Sequence, residues 1–144
     1  MDDVQVSKAL ADRALDVNPP TGYPAFRTAH AFPPESLGAT PALVVIPGSD
    51  SIEVGGQTRR TTVTYTVRLY LDTIADMARR YEALAAYRTW VRDLYNGAVT
   101  LGGLVDQAGV TATQTSTDEV GGIEYLVVDA TVECVKQEAV AYTA

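Results

Sequence analysis

Histidine and cysteine are nearly missing from this chain: 144 residues contain one of each, His30 and Cys134. A nucleophile–base site needs Ser or Cys held beside His by an orienting acid. His30 stands among Ala29, Ala31 and Phe32, which supply none of that. A lone cysteine closes no disulfide within the chain, so nothing implies an oxidising compartment. Positive charge is also scarce. Eleven Lys+Arg against 18 Asp+Glu leave a net charge of −7, which opposes general affinity for a phosphate backbone and favours solubility. No run approaches the ~18 apolar residues of a membrane helix. The opening MDDVQVSKALADRALD has neither a basic n-region nor an apolar h-region, so it does not read as a signal peptide. The expectation is a protein kept or assembled inside a cell. Phosphate-loop patterns are missing too, with no GxGxxG and no GK[ST]. Gly55-Gly56 and Gly102-Gly103 read as turns.

What is present begins with residues 60–71, RTTVTYTVRLYL. Val63, Tyr65, Val67, Leu69 and Leu71 alternate with Thr62, Thr64, Thr66, Arg68 and Tyr70. Strict period-2 alternation rich in β-branched and aromatic residues predicts a half-buried strand. Residues 73–95 follow as the main helix. Ile74, Met77, Tyr81, Leu84, Val91 and Tyr95 form its expected apolar stripe, with Tyr87 or Arg88 filling the gap, Thr73 and Asp76 resembling a capping box with Asp in place of Glu or Gln, and Asn96-Gly97 as the stop.

Residues 4–17 read as a short helix buried through Val6, Leu10, Ala14 and Val17, halted by Asn18-Pro19-Pro20. Residues 23–32 suggest an edge strand, with Phe26, Thr28, His30 and Phe32 on one side. ALVVI at 42–46 suggests a buried strand, and Gly48–Ser51 a turn cluster. Ser51–Val54 can extend the same ribbon, and residues 47–60 read as an extended polar hairpin or loop standing off the sheet. A strand of modest burial is expected over 110–117, with a turn at 118–122. The last strand is expected over 123–135, where Leu126, Val128, Ala130, Val132 and Cys134 form its apolar face. From 136 on the pattern fades into a loose tail. The order predicts one α+β domain over 1–144: a mainly antiparallel sheet of four to five strands with both helices on one face.

The carboxylate pairs do not read as chemistry. Asp72 and Asp76 flank a helix start, where acids suit the dipole. Asp129 and Glu133 share a strand face roughly 13 Å apart, at about 3.3 Å per residue. That is too far for one metal or a glycosidase pair. No catalytic, cofactor-binding or metal site is expected. Arg59-Arg60 and Arg79-Arg80 are the basic doublets. The plain reading is a solvated face; the sharper one is contact with acidic surfaces of neighbouring subunits.

In order and wording, several segments resemble the tail terminator (head–tail joining) proteins of long-tailed bacteriophages, of the actinobacteriophage type. They are the short first helix, PALVVIPGSDSIEVGG, TVTYTVRLYLD leading into a long helix, LYNGAVTLGGLVDQAGVTATQ, and VGGIEYLVVDATVECV. The resemblance spans most of 4–135. It implies a structural protein without enzymatic activity or cofactor. Such proteins form a ring, usually hexameric, on the head-proximal end of the tail tube, where they end tube growth and dock the head connector. The implied partners are other copies of the chain, the tail tube protein and the connector or stopper protein. DNA would pass the lumen without specific binding, no membrane would be involved, and the location would be the virion. On this reading the subunit-interface candidates are Ser49, Asp50, Glu53, Gln57, Arg59 and Arg60 of the hairpin, with Arg79 and Arg80. The alternatives are a head-to-tail stopper or adaptor ring, a small cytoplasmic α+β ligand-binding domain, and, last, an enzyme using the Asp129–Glu133 face.

Overall fold

The computed structural model describes residues 1–74, 76–96 and 99–140. The elements are α1 (Asp3–Asp16), β1 (Thr28–His30), β2 (Ala42–Gly55), β3 (Thr58–Leu71), α2 (Met77–Leu94), β4 (Gln107–Val120) and β5 (Ile123–Ala139). The chain is α+β: one five-stranded mixed sheet in the order β1-β2-β3-β5-β4, with both helices packed against it. β1 runs parallel to β2, and the other pairings are antiparallel.

β3 is the middle strand, as its alternation requires. Val63, Tyr65, Val67, Leu69 and Leu71 lie on the helix-covered face with Leu43 and Val45 of β2 and Leu126, Val128, Ala130, Val132 and Cys134 of β5. α1 adds Val6, Leu10, Ala11 and Ala14 to this core. Asp2 caps α1 by accepting from the N–H groups of Val4 and Gln5, satisfying donors that the first turn leaves open. Tyr95 Oη donates to the Leu10 carbonyl, and Arg13 Nε donates to the Leu94 carbonyl at 2.5 Å. The two helices are thus tied at the point where α2 ends.

α2 differs from its expected stripe. It is capped by Asp76 itself, which accepts from Ala78 and Arg79, while Thr73 Oγ1 donates to the Glu124 carbonyl. The buried side chains are Ala83, Leu84, Tyr87, Trp90, Val91 and Leu94. Met77 and Tyr81 are 55% and 64% exposed. The reason is aromatic. Tyr87 and Trp90 pack on Phe26 and hold the 18–26 segment through bonds to the Pro24 and Asn18 carbonyls. Burying these two large rings turns their side of the helix to the core and leaves Met77 and Tyr81 exposed. The expected stop at Asn96-Gly97 falls partly on Gly97, outside the described residues.

Four strand boundaries also differ. β1 covers only Thr28–His30; Phe26 lies before it in the core and Phe32 beyond it is 43% exposed. Gly48–Ser51 is no turn: β2 runs through it as one strand, with the register shift between Pro47 and Asp50. β4 reaches Val120, so the turn is Gly121-Gly122 alone, with φ of 60° and 81°. Two positive φ values are what a tight hairpin of the right twist demands. β5 takes in residues 136–139, whose partners are Thr58–Thr61 of β3. The tail therefore stays in the sheet at least to Ala139.

The face away from the helices is not simply polar. Ala42, Val44, Tyr70, Tyr125 and Val127 form a second small cluster under Leu37.

Candidate functional site

From Pro47 to Gly55 every residue of β2 is exposed. The hairpin it makes with β3 is an arm continuing the sheet, not a loop standing off it, because β5 pairs with β3 as far as Thr58. Beyond Val44, β2 has no strand on its outer side among the described residues. The arm therefore carries an open edge, a template for another strand. Gly56 turns it with a φ of 60°. Gly48 is needed at the bulge, since a Cβ there would lie 2.3 Å from the Thr64 carbonyl oxygen.

Pairing fixes which way the arm residues face. Asp50, Ile52 and Val54 lie opposite Val63, Thr61 and Arg59, on the helix side. Ser51 and Glu53 lie opposite Thr62 and Arg60, on the other side. Ile52 and Val54 are 56% and 61% exposed. The Arg59-Arg60 doublet is split between the faces. Arg59 Nη2 lies 3.3 Å from Glu138 Oε2, and the Met1 ammonium lies 2.8 Å from Oε1. The Met1 hydrogen bond and charge, then Arg59, hold the Glu138 carboxyl below its usual range. Arg60 is exposed, in register with Glu53 and Gln137.

Six of the eight interface candidates therefore gather on the arm: Ser49, Asp50, Glu53, Gln57, Arg59 and Arg60. Arg79 and Arg80 do not join them. They sit in the first turn of α2, beyond the opposite end of β3. Arg79 is exposed; Arg80 is half-buried and donates to the Ile74 carbonyl at 3.1 Å.

At that second end lies a groove of about 460 Å³ between α2 and β4, lined by Met77, Arg80, Tyr81, Leu84, Thr115, Thr117 and Leu126. Farther along α2, Arg88 Nη2 donates to Thr115 and Arg92 Nη2 to Thr113, at 3.4 and 3.3 Å. β4 forms the other outer edge of the sheet. The apolar pairs Ile52/Val54 and Met77/Tyr81 escaped the sequence reading. Met77 and Tyr81 fit a core stripe there. A signal was available: Ala83, Leu84, Tyr87, Trp90, Val91 and Leu94 make a complete stripe of their own, which leaves Met77 and Tyr81 on its flank.

The titratable groups are engaged elsewhere. Arg68 meets Asp129 with two bonds, of 2.8 and 3.1 Å, and lies 3.7 Å from Asp118, which accepts from Tyr70 Oη at 3.1 Å. The Asp129 bond raises the Arg68 pKa, and burial raises that of Tyr70. Asp129 is thus an ion-pair partner, and Glu133, opposite Thr64, does not join it. Burial pushes the Cys134 thiol up to about 12. His30 and Cys134 have β2 and β3 between their strands. Among the described residues no three His, Cys, Asp or Glu side chains gather as a metal set, and no helix is long and apolar enough to cross a membrane.

Comparison with protein-family models finds no match, and comparison with curated proteins finds none either.

Proposed function

We propose that this protein is a phage tail terminator: a virion structural subunit that closes into a ring on the head-proximal end of a tail tube. There it ends tube polymerisation and docks the head connector. One observation carries the reading: an exposed arm with a long open edge and two unburied aliphatic side chains, Ile52 and Val54. Such an edge is an aggregation hazard that soluble monomers avoid, and a self-assembling subunit puts it to use. The resemblance of the segments to tail terminators supplies the particular assembly. The net charge of −7 suits a lumen through which DNA slides without sticking.

A stopper or adaptor ring would share the arm and differ in its place in the particle. A phage whose copy of the gene carries an early stop codon separates them. Loss of a terminator gives overlong tails. Loss of a stopper gives tails of normal length with heads that leak or fail to join.

A further inference from the structure

The two exposed apolar pairs lie at opposite ends of the sheet. Ile52 pairs with Thr61, and Leu126 in the groove pairs with Leu71. Ten residues of β3 separate those positions, roughly 33 Å at about 3.3 Å per residue. An arm cannot reach its own groove.

The two surfaces match in order and in charge. Along the helix-side face of the arm the sequence is Val54, Ile52, Asp50, at intervals of roughly 6.6 Å. Along the flank of α2 it is Met77, Tyr81, Arg88, at intervals of roughly 6 and 10.5 Å, with Arg80 as a second cation in the groove's lining. Each reads apolar, apolar, charged, and the charges are opposite. Both surfaces also border an open strand edge, β2 on one side and β4 on the other. A β2 edge laid against a β4 edge places its helix-side residues beside Thr113, Thr115 and Thr117, under the flank of α2.

We propose that the arm of one copy lies along the α2–β4 groove of a second copy of this chain. Val54 and Ile52 cover Met77 and Tyr81, and Asp50 meets Arg88. The contact is head-to-tail, so it repeats around a ring, or along a filament if the rotation does not close. It names the interface within the ring of the proposed function and rests on that reading only for the ring's place in a virion.

Cysteine crosslinking of the purified full chain tests this with a short bismaleimide. Cys134 is fully buried and stays silent. The double variant V54C/M77C should give a ladder of covalent oligomers. A mixture of V54C and M77C single variants should stop at the dimer, and each alone should remain monomeric. Adding Tyr81→Asp to the M77C chain should cut the dimer band at least tenfold, with an unchanged circular dichroism melt. A control pair, Leu15→Cys with Met77→Cys, should give no ladder. V54C crosslinking to itself as well as to M77C would overturn the head-to-tail contact, as would a mixture that stays monomeric. Particle images are independent of this result. A ladder with unaffected particles removes the virion role alone, and overlong tails without a ladder remove this contact alone.

Discussion

Arg68 and Asp129 stand directly opposite one another on β3 and β5, and the guanidinium grips both carboxylate oxygens, at 2.8 and 3.1 Å. The pair sits on the sheet face away from the two helices, next to the Tyr70–Asp118 bond and the cluster under Leu37. A planar fork on a carboxylate is a strong, oriented contact. It fixes the register of the two central strands from the side opposite the core.

Removing one partner of this pair should therefore cost more than an ordinary surface pair. Asp129→Ala is expected to lower stability by about 1–3 kcal/mol. That lies below the cost for a fully buried pair, because Arg68 and Asp129 keep 29% and 21% of their side-chain surface exposed. A urea double-mutant cycle with Arg68→Ala reads the coupling. Purely additive losses would show that the two residues do not act as a pair.

Burial decides how much an aspartate substitution along the sheet costs. Val67 and Val128 are fully buried. Val67→Asp or Val128→Asp should abolish cooperative folding, since an unpaired buried charge is among the most severe defects. Val54→Asp, at 61% exposure, should change the stability by less than about 0.5 kcal/mol. Cooperative unfolding of Val67→Asp at the wild-type midpoint would contradict the assigned core.

Gly48 is held by space. A methyl group would meet the Thr64 carbonyl at 2.3 Å, so Gly48→Ala forces the bulge open. The expected loss is about 1–3 kcal/mol, measured by thermal or urea unfolding. An unchanged transition would mean that the arm leaves β3 differently.

Cys134 should behave as an inert core side chain. Its thiol is pushed up to about 12 by burial, from an ordinary value of 9.0. A raised folded value means the neutral thiol is favoured in the folded state. The stability it supports is whole below pH 9.0 and is lost as pH rises towards 12. Labelling by a thiol reagent at pH 8 should follow global unfolding across a urea series. Fast labelling of the native protein would contradict the buried placement.

Much of this fold was legible because its central strands obey a strict period. Val63 to Leu71 and Leu126 to Cys134 could face only one way. The α+β class and the shared helix face followed. The hairpin is legible in its polar, glycine-rich make-up, but its place in the sheet is not, since Gly48-Ser49-Asp50-Ser51 reads as a turn when its pairing to β3 is unseen. Met77 and Tyr81 were misplaced for a different reason. Their spacing fits a core stripe, and only the packing of Phe26 on Tyr87 and Trp90 shows that another face is buried. Such a contact between distant segments leaves no local signal. Of the interface candidates, the arm residues came together because they are contiguous. Arg79 and Arg80 were separated from them by the full length of β3.

We propose that this protein stops tube growth. The most direct measurement is the tail-length distribution, by electron microscopy, of particles from a phage whose copy of the gene carries an early stop codon. A terminator predicts tails longer than normal with no fixed end point, beside heads that are full of DNA and unjoined. Supplying the intact protein in trans should restore the normal length. Tails of regulated length joined to heads would contradict the account.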